Sequence, residues 1–245
     1  MKYYAQLNEI KVFSLNDATN LMKNRANAAV ILNNMIKKKQ VLRVKQNLYV
    51  SNDLYKDKNA KFKVGSHIND DSVIAYQSAL EFYGIEPKEL NTVQIASSKR
   101  FYDLSFNGND YHFCKSIVSC QVNVINDIKV TSIERTIIDC INTIGKEIEL
   151  TNLVRCLNRI NKLDDQKIKE VLLAYNKDVL YRKTGYVLSF FKDQIGLSNE
   201  IFTFCNERAN VKNKAYLLSS YKDKLVYIKE WGIYAYKDLL TDNLS

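Results

Sequence analysis

Residues 23–51 read KNRANAAVILNNMIKKKQVLRVKQNLYVS, and the division of this stretch decides the fold of the N-terminal quarter. Lys23-Asn24-Arg25 is a polar break. Beyond it Ala29, Leu32 and Ile36 recur at i, i+3 and i+7 as one stripe of an α-helix, while Arg25, Asn27, Asn34 and Lys38 fall toward the other side. Two short apolar runs follow, Val41-Leu42-Arg43-Val44 and Leu48-Tyr49-Val50-Ser51, and the intervening Lys45-Gln46-Asn47 reads as the basic tip of a β-hairpin. On the N-terminal side, Leu7, Ile10 and Phe13 predict a short helix ending before Ser14. Ser14 or Asn16 can then cap a helix through Ala18, Leu21 and Met22. Helix, break, helix and hairpin is the order of a winged helix-turn-helix, whose second helix enters the major groove of DNA while the wing touches backbone or minor groove.

Charge points the same way. The chain carries 36 Lys+Arg and 27 Asp+Glu; residues 1–65 hold 13 of the basic and 4 of the acidic side chains, which leaves 23 of each in the remainder. The whole formal excess of +9 therefore lies in the first quarter. A polyanion relieves such self-repulsion by exchanging its counterions for Lys and Arg. A solubilising face or a membrane-surface patch would produce the same balance. On the DNA reading, Arg25, Asn27 and Asn34 are the base-edge candidates, because Arg and Asn can pair bidentately with guanine and adenine. Lys37, Lys38, Arg43, Lys45 and Gln46 would hold phosphate or the adjacent groove.

With 46% hydrophobic residues and one proline, 245 residues suffice for one large or two modest domains. No stretch approaches a membrane span or a signal peptide, so a cytoplasmic protein without membrane contact is expected. Five cysteines without a C-x-x-C pair and two separated histidines predict neither a metal site nor a disulfide framework. Residues 51–69 are polar and lysine-rich and read as a linker ending at Gly65-Ser66, which divides the chain into a DNA-binding domain, 1–65, and a second domain, 66–245. In the latter, Asp70 and Asp71 can cap a helix through Tyr76 and Tyr83. Thr92–Ile95, Tyr111–Phe113 and Val122–Ile125 read as strands, with a turn at Asn107-Gly108. Thr131-Ser132-Ile133-Glu134 reads as a capping box opening a helix with an Arg135/Asp139 pair. From Leu150 the periodicity is helical, up to an aromatic tail with Tyr227, Trp231, Tyr234 and Tyr236. The fold class expected is α+β: a winged helix-turn-helix followed by a mixed domain of helices and a small sheet.

Several strings resemble the antitoxins of the abortive-infection AbiE type, which bacterial operons pair with nucleotidyltransferase toxins. They are Leu32–Lys39 leading to Leu42-Arg43-Val44 and Asn47-Leu48-Tyr49, then Ser78–Gly84, the more specific Val130–Asp139, and Gly185-Tyr186-Val187-Leu188. Lys39 and Asn47 stand where the family often has glycine. The resemblance implies a bifunctional protein. Its winged domain would bind inverted repeats in its own promoter and repress, and its C-terminal domain would neutralise the toxin. A stand-alone winged-helix regulator with a sensing or dimerising C-terminal domain is the alternative.

Catalytic patterns fit poorly. Gly65-Ser66 followed by adjacent Asp70 and Asp71 lacks the alternate spacing with which a strand presents two acids to one metal. Glu86-Pro87-Lys88 resembles a nuclease Glu-x-Lys but sits in a turn context. With no phosphate loop and no nucleophile elbow, the expectation is a binding protein without catalytic residues or cofactor.

Overall fold

Ser14 opens the central helix of the N-terminal region by a reciprocal cap. Its hydroxyl accepts from the backbone of Asp17 (3.1 Å), and the Asp17 carboxylate accepts from the backbone of Ser14 (2.7 Å). In the computed structural model, which describes residues 2–209, 213–218 and 224–240, the elements up to Ser66 are α1 (Lys2–Ile10), β1 (Val12–Ser14), α2 (Leu15–Met22), α3 (Arg25–Lys37), β2 (Val41–Lys45), β3 (Leu48–Ser51), a 3-10 turn (Asn52–Lys56) and α4 (Ala60–Ser66). Then come β4 (Val73–Ile74), α5 (Tyr76–Phe82), β5 (Thr92–Ser97), β6 (Leu104–Phe106), β7 (Asn109–Lys115), β8 (Val122–Ile125), β9 (Ile128–Thr131) and α6 (Ile133–Asn142). Helices α7 (Leu150–Leu157), α8 (Asp165–Tyr175), α9 (Asp178–Ser189) and α10 (Asn199–Arg208) precede β10 (Ala215–Tyr216), β11 (Val226–Ile228) and β12 (Ile233–Ala235). The protein is α+β.

Two compact units emerge: Met1–Ile74 with Asn91–Lys115 and Val124–Lys129, and Ala75–Leu90 with Ser116–Asn123 and Val130–Ser245. In the first, strands β1, β3 and β2 form an antiparallel sheet in that order. Leu7, Phe13, Ala18, Met22, Ala28, Leu32, Met35 and Val41 pack into one core; the larger of these side chains contribute about 1.5–3 kcal/mol each by leaving water. Phe13, expected in the first helix, lies in β1, because Lys11 turns left-handed (φ 68°) and ends α1 at Ile10. A six-stranded sheet, order β6-β7-β5-β4-β9-β8, has most of its strands in this unit.

The expected linker at 51–69 is folded. Phe62, Val64, Gly65 and Ser66 are buried, and α4 lies so close to the sheet that a Cβ on Gly65 would meet Ile74 Cδ1 at 2.9 Å and Val93 Cγ1 at 3.1 Å. The Gly65 boundary thus falls inside a helix packed on the sheet. Asp70 and Asp71 do not cap α5, whose N-cap is Ala75, since β4 intervenes.

In the second unit α6 lies against α5, α8 and α9, and α10 packs on α9. The N-cap of α6 is Ser132, accepting from the backbone of Arg135 at 3.2 Å. The expected capping box at Thr131–Glu134 is displaced, because Glu134 accepts instead from the backbone of Asp164 (3.3 Å). The aromatic tail is a small sheet, order β10-β12-β11, and Trp231 seals it against Gly185 of α9. No described helix is long and apolar enough to cross a membrane.

Candidate nucleic-acid interface

A two-residue turn sets α3 against α2. Lys23 takes a left-handed conformation (φ 56°) that ends α2, and Asn24, extended, caps α3 by accepting from the backbone of Asn27 at 3.0 Å. Helix α3 buries Ala28, Leu32 and Met35. The expected stripe of Ala29, Leu32 and Ile36 is therefore rotated by one residue, with Ala29 and Ile36 half-buried. Opposite the core, Ala26, Val30, Asn33 and Lys37 are exposed at i, i+4, i+7 and i+11, flanked by exposed Asn27, Asn34 and Lys38. The C-terminus closes with backbone bonds Gln40 N to Met35 O (3.0 Å) and Lys39 N to Ile36 O (2.9 Å), a Schellman arrangement with left-handed Lys39 (φ 56°).

Asn27, Asn34, Lys37 and Lys38 thus share the solvent side of one helix. Arg25 is exposed as well, but its Nη1 donates to Asn16 Oδ1 of α2 (3.3 Å), which ties its guanidinium to the neighbouring helix. On the hairpin, the bend comes at Gln46-Asn47, with Asn47 left-handed (φ 62°). The tip is uncharged rather than basic. Lys45 ends β2, and its amine donates to Asn69 Oδ1 (3.3 Å). Burial pulls the Lys45 amine below the usual lysine range, with the Asp70 carboxylate partly offsetting it. Arg43 is exposed and donates from Nε to the carbonyl of Lys45 at 3.4 Å. Both positions where the resemblance leads one to expect glycine, 39 and 47, have positive φ.

Sequence reasoning missed Ala26, Val30 and Asn33. Their i+4 and i+7 relation to one another is visible in the sequence, but the buried stripe was set one residue too far along, which put the centre of the exposed side on Asn27 and Asn34. The left-handed turn at Lys11, which ends α1 at Ile10, carries no mark in composition either.

The string Val130–Asp139 has a structural occupation. Arg135 and Asp139, the pair expected on this helix, are 2% and 1% exposed and so fully buried. Arg135 donates to the carbonyls of Cys120 (2.7 Å) and Val118 (2.9 Å), to Ser116 Oγ (3.2 Å) and to Asp139 (3.4 Å). Tyr175 donates to the other Asp139 oxygen at 2.7 Å. Burial pushes the Asp139 carboxyl up, against the pull of Arg135 and the Tyr175 hydrogen bond. This network pins the 116–120 segment to α6. Glu86 of the nuclease-like triplet is buried as well, accepting from Arg155 (2.8 and 3.1 Å), Gln77 (2.9 Å) and the backbone of Lys88 (3.0 Å). Asp71 is bound to Ser97 and Ser98 (2.6–2.7 Å), while the Asp70 carboxylate is fully exposed, so the adjacent acids diverge.

The sequence matches no model of a known protein family and no curated protein.

Proposed function

We propose that the N-terminal region is a winged helix-turn-helix that binds double-stranded DNA, with α3 as the recognition helix and the β2–β3 hairpin as the wing. One observation carries this reading: α2, the Lys23-Asn24 turn and α3 stand on a three-stranded sheet, with the outward side of α3 open and lined by Asn27, Asn34, Lys37 and Lys38. The charge excess of residues 1–65 supports it. The test is a titration of the full chain against the duplex upstream of its own reading frame and a scrambled duplex at two salt concentrations. Tighter binding of the upstream duplex, falling steeply as salt rises, is expected. Equal or absent binding refutes the reading.

On the residue strings quoted above, we further infer that the chain is the antitoxin of an abortive-infection operon. It represses its own promoter and neutralises a nucleotidyltransferase toxin. The neighbouring reading frame then encodes that toxin, and co-expression of this chain restores growth to cells producing it. A neighbour without nucleotidyltransferase residues, or no rescue, overturns the antitoxin role while leaving DNA binding intact.

A further inference from the structure

The outward strip of α3 has an unusual chemical selection. Val30, at its centre, is 60% exposed, and its helical neighbours Ala26, Asn27, Asn33 and Asn34 are all exposed. From Arg25 to Lys37 the helix contains no acidic residue and no glutamine, and its one arginine is tied to Asn16. In the major groove guanine is read by Arg or Lys, cytosine by Asp or Glu, adenine by Asn or Gln, and the thymine methyl by apolar side chains. The middle of this strip holds readers of the last two bases only. Its charges stand at its ends, Lys23 before it and Lys37, Lys38 and Lys39 after it, where they complement phosphates on either side of a groove.

We propose that α3 reads A·T pairs, with Val30 packed on a thymine C5-methyl and asparagines of the same face on adenine edges. This specificity rests on the winged-helix reading. Recognition helices contact bases mainly through their N-terminal residues, which puts Ala26, Asn27 and Val30 in the reading position and leaves Lys37 toward the backbone.

The experiment is a titration of the full chain against its upstream duplex made once with thymine and once with uracil throughout, which removes only the methyl groups. Removing one methyl that packs on the protein weakens binding about fourfold, and removing two about fifteenfold. Val30→Ser, at an exposed position, is expected to bind both duplexes alike, at the affinity of the unaltered chain for the uracil duplex. Equal binding of the two duplexes by the unaltered chain, with its preference over scrambled DNA intact, overturns the thymine assignment and spares the winged helix. Discrimination that survives in Val30→Ser overturns the role of Val30. Failure to bind any duplex removes the DNA reading and this inference with it.

Discussion

Gly185 lies inside α9, where helix propensity alone favours alanine by about 1 kcal/mol. Its surroundings reverse that sign. A Cβ there would stand 1.9 Å from Cζ3 and 2.4 Å from Cη2 of Trp231, against roughly 3.5 Å for an ordinary carbon contact. Trp231 is 2% exposed and packs edge-on against Phe202, so the ring has little room to retreat. Overpacking of this kind costs about 1–3 kcal/mol, and expulsion of the indole about 3–5 kcal/mol. Gly185→Ala is therefore expected to destabilise the second unit by about 3 kcal/mol, lowering the melting temperature by roughly 6–12 °C for a chain of this size. Trp231 is the only tryptophan in the chain, so its emission reports on this one contact. Thermal unfolding followed by intrinsic fluorescence should show a lower midpoint and a red-shifted native spectrum. Trp231→Leu introduced beside Gly185→Ala should cost less than the sum of the single changes. An unchanged or raised midpoint with an unshifted spectrum would refute the packing argument.

Lys39→Gly relieves a left-handed backbone at the end of α3 and should raise stability by about 1 kcal/mol in denaturant titration. Burial alone would raise the Asp71 carboxyl, but hydrogen bonds from Ser98 and Ser97 outweigh it and hold it at about 2. Its stabilising contribution is accordingly present above the ordinary aspartate range and disappears as pH falls toward 2, and midpoints measured across acid pH should fall less in Asp71→Asn than in the unaltered chain. Arg135→Leu leaves Asp139 buried without its cation and should cost about 3–5 kcal/mol in chemical unfolding. On the winged-helix reading, Lys38→Ala should reduce the salt dependence of DNA binding by up to about 0.9 in the log–log slope. Lys45→Ala, whose amine is already on Asn69, should reduce it less.

What the sequence disclosed was local and periodic; what it hid was set by distant partners. The break at Lys23-Asn24, the cap at Ser14 and the paired runs of the hairpin carry their cause within a few residues. Residues 51–69 look like a linker by composition, and only the approach of Gly65 to Ile74 and Val93 reveals a packed helix. Phe13 suits a helical stripe as well as a strand, and the choice rests on its pairing with Tyr49 of β3. Likewise Asn16 is visible as a possible cap, while its hold on Arg25 depends on the angle between α2 and α3. Charge alone places Lys45 on the hairpin tip, and the partner that engages its amine, Asn69, lies 24 positions away.

Lys11, Lys23 and Lys39 all hold the left-handed backbone that glycine adopts freely, at about 1 kcal/mol each. Keeping lysine at these three bends retains cationic charge in places where glycine would give a firmer scaffold. A ligand that engages only the folded form offsets such strain by mass action. On the winged-helix reading, DNA-bound chain should then outlast free chain under limited proteolysis.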